Sequence, residues 1–351
     1  MPSPLPVHLI TGLLGSGKTT CLKHLIQQKP LTEHWIILIN EFGEVDIDAS
    51  QLITIAPKDN SLEIHEVSGG CICCTAQLGL VNTLNQIFSR TNTKIDRIWI
   101  EPTGLGHPAQ IIDSLQKTPF SRPLSLQKTV CVITPQQLTP ERWQKSAVMR
   151  DLVTLADTII LNKTDLGDLP SQQQARQLLE NCFPPKDEII ATQYADIKLT
   201  TLLQEKQSQP LTILASKTLH LAETNHPQKA YCSDIEQTQH CFIRIDNTNV
   251  NLLSMGWVWS NKVQFNRVKL KGFFEQIAPN LIRAKGIVKT GKEWQLINCS
   301  EGETQFEDIA WRQDSRLECL FVNSNENQST ITPLDLEKIL QNTIHSYNSQ
   351  T

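Results

Sequence analysis

No apolar run in this 351-residue chain is long enough to cross a bilayer. A membrane protein is therefore not expected. The chain also lacks a basic block. Lys and Arg total 32 against 36 Asp and Glu, for a formal net charge of −4, which does not suggest a nucleic-acid partner. No positively charged segment precedes the first apolar run, so that run reads as a strand and not as a signal peptide. With no export signal, the ten cysteines point to reduced thiols and a cytoplasmic protein. No internal repeat is found. What remains is a mixed, slightly acidic chain, 39% hydrophobic, long enough for two domains rather than one.

The rest of the chain is organised around Gly12-Leu13-Leu14-Gly15-Ser16-Gly17-Lys18-Thr19-Thr20, which fits G-x-x-x-x-G-K-[ST] at every fixed position. Val7 to Ile10 reads as a buried strand before it, and Cys21 to Gln28 as a helix after it. Strand, glycine loop and helix together surround a phosphate with backbone N–H groups, aided by the positive end of the helix dipole. Gly12, Gly15, Ser16, Gly17, Lys18, Thr19 and Thr20 are therefore expected to bind nucleotide. Lys18 should reach the β- and γ-phosphates, and the Thr19 hydroxyl should sit on Mg²⁺.

Further apolar runs follow at Trp35–Ile39, Ile95–Ile100, Thr129–Ile133 and Thr158–Leu161; Leu62–Val67 alternates and reads as another strand, and Glu188–Ala191 as the last one. Leu78–Phe88, Ser146–Ala156 and Ser171–Phe183 have helical spacing. The alternation predicts an α/β domain, a parallel sheet flanked by helices on both faces. Ligands in such sheets bind beyond the carboxyl ends of the strands.

Two more motifs fall at strand ends. Asn162-Lys163-Thr164-Asp165 has the N-K-x-D pattern of guanine-binding loops. Asp165 can accept from guanine N1–H and the 2-amino group; adenine would leave that carboxylate unpaired. Asn162 can donate to N7 and fix the loop, and the Lys163 stem can lie over base and ribose. Ala191-Thr192 after the last strand is expected to complete the base pocket. Ile98-Trp99-Ile100-Glu101-Pro102-Thr103-Gly104 ends an apolar strand on an acid. Glu101 stands where Mg²⁺ or its water is held, and the Gly104 N–H can sense the γ-phosphate. The acidic stretch Glu41 to Asp48 lies where a first switch is expected, and Asp48 is the candidate that contacts Mg²⁺ or orients the attacking water. No arginine finger or glutamine base is evident, so intrinsic turnover should be slow.

Gly69-Gly70-Cys71-Ile72-Cys73-Cys74 places three thiols within four positions. Such thiolates suit Zn²⁺ or Cu(I), and Zn²⁺ takes four ligands in a tetrahedron. The fourth must come from elsewhere: Glu41, Glu44, His65, His107 or water, with Glu41 preferred. A reduced buried cluster and a redox pair are the other readings. Cys21, Cys131, Cys182 and Cys241 lie in or beside apolar stretches and read as core.

After residue 216 the pattern fades into a polar stretch, expected as a linker over 217–240 between a first domain over 1–216 and a second over 241–351. Expected strands there are Cys241–Ile245, Met255–Trp259, Ile282–Val288, Glu293–Asn298, Phe306–Trp311 and Leu317–Val322. Expected helices are Val268–Ala278, started by Asn266, and Leu334–Tyr347. This is a smaller α+β domain with Trp257, Trp259, Trp294 and Trp311 in its core or docking surface.

These pieces resemble the CobW family of metal-handling GTPases, relatives of HypB and UreG. The likeness rests on GLLGSGKTT, NEFGEVDID, GGCICC, EPTGLGHP, NKTD and Arg283-Ala284-Lys285-Gly286-Ile287-Val288. It is nearest to the zinc-binding GTPase subgroup typified by YeiR, through EPTGLGHP, Met255–Trp259 and Asp314–Glu318. The resemblance covers nearly the whole chain. It implies slow hydrolysis of GTP to GDP and zinc at Cys71, Cys73 and Cys74. It also implies a metallochaperone or zinc-homeostasis role toward a client metalloprotein. A cobalt-handling protein for cobalamin synthesis and a GTP-dependent switch without metal transfer are the alternatives. A homo-oligomer stays open. The chain lacks the dense histidine stretch that some relatives carry between domains.

Overall fold

The structure, a computed structural model, describes residues 3–39, 61–67, 74–90, 94–102, 108–204, 231–235, 238–247, 250–300, 302–322 and 333–344. It divides the chain into two compact units, Met1–Ser208 and Gln209–Thr351.

The first unit is built on seven strands: β1 (Leu5–Gly12), β2 (Trp35–Ile39), β3 (Leu62–Glu66), β4 (Arg97–Glu101), β5 (Leu124–Ile133), β6 (Thr158–Leu161) and β7 (Glu188–Ala191). They form one sheet in the order β3-β2-β4-β1-β5-β6-β7, and each neighbouring pair is parallel. Its helices are α1 (Lys18–Gln27), α2 (Cys74–Ser89), α3 (Pro108–Lys117), α4 (Pro140–Lys145), α5 (Ala147–Leu155), α6 (Leu169–Glu180) and the short α7 (Leu199–Leu202). Alternate residues of β5 and β6 serve two cores. Val130, Val132 and Ile160 pack with Cys21, Leu22, Leu25 and Ile26 of α1. Cys131, Ile133, Ile159 and Leu161 pack on the other face with Leu152, Val153, Ala175 and Leu179 of α5 and α6. Strands covered on both faces need no polar side, which is why they read as continuous apolar runs.

The register brings one set of strand ends together. Ile39 lies opposite Glu101, Gly12 opposite Val132, Ile133 opposite Leu161, and Leu161 opposite Ala191. The loops leaving β1, β4, β5, β6 and β7 therefore share one edge of the sheet. Among the described residues no helix is long and apolar enough to cross a membrane.

The second unit carries another seven strands: β8 (Tyr231–Ile235), β9 (Thr238–Asn247), β10 (Val250–Ser260), β11 (Leu281–Thr290), β12 (Glu293–Ser300), β13 (Glu303–Asp308) and β14 (Asp314–Val322). Their order is β13-β12-β11-β14-β10-β9-β8, all pairs antiparallel. Helices α8 (Arg267–Ile277) and α9 (Pro333–Gln341) supply Leu270, Phe273, Phe274, Leu336 and Leu340 to a core that also holds Trp257 and Trp259. Asn266 caps α8 by accepting from Val268 and Lys269 N–H at 3.0 and 3.1 Å.

Several expectations need correction. The polar stretch read as linker contains all of β8 and the start of β9. β8 is an edge strand, and an edge strand needs no apolar run. Helix α1 starts at Lys18 rather than Cys21, so the lysine and both threonines form its first turn. β5 begins at Leu124, five residues before the expected strand, because its first half is partly exposed and polar. The strand expected at Phe306–Trp311 runs Glu303–Asp308. Helices α3 and α4 were not anticipated, although each has proline in its first turn, where the missing N–H costs nothing.

Candidate functional site

The glycine loop joins β1 to α1, and its shape is fixed by close approach. Gly12 has φ 141°, and a Cβ there would meet the Val132 carbonyl oxygen at 2.0 Å. Gly17 has φ 105°, and a Cβ there would meet Asn162 Nδ2 at 2.4 Å. Only glycine suits both positions.

The carbonyls of this loop are all engaged. Leu13 O accepts from Ser16 N at 3.2 Å and from Lys18 Nζ at 3.3 Å. Leu14 O accepts from Gln137 Nε2 at 2.9 Å, Gly15 O from Lys163 Nζ at 2.8 Å, and Ser16 O from Asn162 Nδ2 at 2.8 Å. Three of these donors come from the loops after β5 and β6. Four successive carbonyls held by donors fix the loop against the amino-terminal turn of α1, the helix end whose dipole favours an anion. The buried Ser16 Oγ has no hydrogen-bond partner among the described residues. A phosphate oxygen fits that requirement.

Beside the loop, Thr19 Oγ1 donates to Glu101 Oε1 at 2.8 Å. Glu101 ends β4 and is 5% exposed. This all-oxygen pair at the phosphate edge suits a hard ion such as Mg²⁺. Cys21 lies in the same core; burial first, and the Glu101 charge second, push its thiol pKa up. Burial likewise raises Cys131 to about 12. Neither is a nucleophile at neutral pH.

Asn162 is 1% exposed and tied at both side-chain atoms, since its Oδ1 also accepts from Ala195 N at 2.7 Å. It therefore staples the glycine loop to the loop after β7. Lys163 adopts the left-handed region at φ 56° and extends to Gly15 O. Asp165 is exposed in a 3₁₀ turn over Thr164–Leu166. Thr164 N and Oγ1 both donate to Thr192 O, at 3.3 and 3.0 Å. Ala191 is exposed at the end of β7. The structure thus brings Gly12 to Thr20, Glu101, Asn162, Lys163, Asp165 and Ala191 to one edge of the sheet.

Other expected site residues lie outside the described residues: Glu41, Glu44, Asp48, Cys71, Cys73, Gly104 and His107. Cys74 is seen only as the backbone start of α2. Of the fourth-ligand candidates, His65 is described, and its Nε2 lies 3.0 Å from Glu63 Oε2. Among the described residues no cluster of three His, Cys, Asp or Glu is arranged to hold a metal ion.

Sequence reasoning missed Gln137 and the pair Tyr194-Ala195. Gln137 is set by a turn in which its Oε1 accepts from Thr134 N and its own N donates to Thr134 Oγ1. Tyr194 and Ala195 have φ 55° and 53°. No glycine or asparagine marks them, so composition gives no sign of the bend.

The sequence profile described as the CobW/HypB/UreG nucleotide-binding domain matches residues 6–190. The chain belongs to this family. It is 31% identical over 318 residues to zinc chaperone YeiR of Escherichia coli K12, covering 89% of this chain and 92% of that protein. It is 31% identical over 207 residues to zinc chaperone YjiA of the same organism, covering 57% of this chain and 61% of that one. Zinc chaperone CobW of Pseudomonas aeruginosa is 26% identical over 241 residues, 62% of this chain and 64% of its own. The cradle just described is therefore that of the family's nucleotide-binding domain.

Proposed function

We propose that this protein is a zinc-handling GTPase that hydrolyses GTP to GDP and phosphate and couples nucleotide state to zinc held at Cys71, Cys73 and Cys74. The observation that carries the nucleotide half is the cradle itself: four loop carbonyls held by donors beside the Thr19–Glu101 pair. Lys18 would leave the Leu13 carbonyl for the β- and γ-phosphates. Thr19 and Glu101 would hold Mg²⁺ or its water. Mg²⁺, when bound, neutralises charge developing on the phosphate oxygens. Asp165 would read the guanine edge from its exposed turn, with Asn162 holding that turn's loop against the phosphate loop and Ala191 beside the base. Gly104 and Asp48 remain the proposed γ-phosphate sensor and water orienter.

The zinc half rests on the thiol motif and on relatives named zinc chaperones, including those that carry the CobW name. Those names favour zinc over cobalt. Three thiolates and Glu41 would complete a tetrahedral shell, with the ion as cargo for a client metalloprotein. The motif runs into α2, whose first residue is Cys74, and the acidic stretch bearing Glu41 follows β2. Both segments leave the strand edge that carries Glu101, so a shift of either on GTP binding can alter the zinc shell.

A GTPase assay with and without stoichiometric Zn²⁺, on wild type and on Cys73→Ser, tests this reading. We expect zinc to change turnover in wild type and to leave the variant unchanged. Turnover that ignores zinc in both would reduce the protein to a nucleotide switch with an unrelated thiol cluster.

A further inference from the structure

We propose that the ring of Tyr194 stacks on the guanine base, on the face that the Lys163 stem leaves open. The assignment rests on the GTPase reading above and adds to it the residue that grips the base. Tyr194 lies in the loop after β7 and is 70% exposed. Among the described residues of the first unit it is the one exposed Phe, Trp or Tyr.

Two ties hold this loop to the N-K-x-D loop. Ala195 N donates to Asn162 Oδ1 at 2.7 Å, and Thr192 O accepts from Thr164 N and Oγ1 at 3.3 and 3.0 Å. Between the ties lie Lys163 on one loop and Gln193 and Tyr194 on the other. Lys163 and Tyr194 are both left-handed, at φ 56° and 55°. A Cβ disfavours that region, and residues held there gather at ligand sites, where surrounding bonds over-determine them. Thr192 Oγ1 adds a brace inside the loop by donating to Asp196 O at 2.8 Å. The bend sends Ala195, which is 0% exposed, into the core beside α1. Burial of Ala195 accounts for the bend but not for the ring, since glycine makes such a turn with less strain. The ring therefore serves a partner outside the chain, and the partner expected beside Asn162 and Asp165 is the base.

The chemistry divides the base among three side chains. Lys163 Nζ is anchored on Gly15 O at 2.8 Å, so its stem spans from the N-K-x-D loop to the glycine loop and takes one face. Asp165 reads the edge. The second face is a flat π surface, which an aromatic ring covers well. Every purine has such a face, so Tyr194 adds affinity without choosing between bases, and Asp165 keeps the choice of guanine.

Equilibrium binding of GTP, GDP and ATP to the full chain tests the assignment, on wild type, Tyr194→Phe and Tyr194→Leu. Both replacements keep a Cβ and a branch at Cγ, so the backbone strain is retained, and unchanged melting temperatures verify the fold. Tyr194→Leu should weaken GTP and GDP alike, by about tenfold, with the ratio of GTP to ATP affinity unchanged. Tyr194→Phe should stay within about twofold of wild type, because the ring face and not the hydroxyl makes the contact. In Tyr194→Trp, GDP should quench indole emission beyond any change from the seven native tryptophans. Equal GTP affinity in wild type and Tyr194→Leu overturns the assignment and leaves the GTPase reading standing. So does a Phe variant as weak as the Leu variant, a loss confined to GTP, or no added quenching in Tyr194→Trp. A wild type that binds neither GTP nor GDP overturns both.

Discussion

Asn162 reaches across 146 residues of sequence to donate its side-chain amide to the Ser16 carbonyl at 2.8 Å. The bond joins the loop after β6 to the loop after β1, the two loops expected to hold opposite ends of one nucleotide. Because the same side chain accepts from Ala195 N, base and phosphate segments form one hydrogen-bonded unit.

Asn162→Ala removes both bonds and leaves the buried Ser16 carbonyl short of a donor. We expect a stability loss of about 1–3 kcal/mol together with weaker GTP binding. Asp165→Asn should behave differently. Its carboxylate is exposed, so thermal stability should hold while preference for GTP over ATP collapses. Melting curves with nucleotide competition separate the two roles.

The glycines of the loop are not equivalent. Gly17→Ala drives a methyl into Asn162 at a backbone angle that alanine avoids, whereas a Cβ at Gly15 (φ 72°) meets nothing within 4 Å. Gly15→Ala should cost about 1–2 kcal/mol, the left-handed penalty alone, and Gly17→Ala clearly more. Denaturant midpoints on the nucleotide-free protein give the comparison.

This pattern of bonds marks the limit of what the sequence discloses. The motif from Gly12 to Thr20 is local, and its residues announce the loop, the lysine and the threonine. The N-K-x-D motif likewise announces Asn162, Lys163 and Asp165. Strands β1, β2 and β6 were legible because burial on both faces leaves only apolar residues. Gln137 was not legible. A glutamine in a turn looks solvated until the fold places the Leu14 carbonyl 2.9 Å away. The bend at Tyr194-Ala195 was hidden because it is stabilised by a contact 33 residues away and not by its own residue types. Edge strand β8 escaped notice because Tyr231–Ile235 has no continuous apolar run in its sequence.

Gln137 yields a third prediction. Gln137→Ala frees the Leu14 carbonyl while leaving every phosphate-facing residue in place. GTP affinity should fall by about tenfold, the value of one positioning bond, with Mg²⁺ dependence unchanged. Thr19→Val should do the reverse and remove most of the Mg²⁺ dependence, since its hydroxyl lies 2.8 Å from Glu101. Magnesium titrations of nucleotide affinity distinguish these variants.

Acid should weaken the first domain through His8. Its ring stacks on Trp99 at 4.2 Å, and its Nε2 lies 2.9 Å from Arg97 Nη1. A guanidinium only donates, so Nε2 accepts and the ring is neutral. Burial first, and Arg97 second, lower its pKa from 6.5 to about 3. Between those values the unfolded chain binds a proton that the folded chain refuses, so stability falls as pH drops below 6.5. At about 1.4 kcal/mol per pH unit, roughly 2 kcal/mol is lost by pH 5. Denaturant unfolding of wild type and His8→Gln at pH 7 and pH 5 should show a flatter dependence in the variant.

The central claim is that nucleotide and zinc report on each other, and zinc affinity tests it most directly. Titrating zinc into the protein bound to GDP, and again bound to a non-hydrolysable GTP analogue, should give constants that differ by about fivefold or more, with the same factor for nucleotide affinity with and without zinc. Identical zinc affinity in the two nucleotide states would contradict the account.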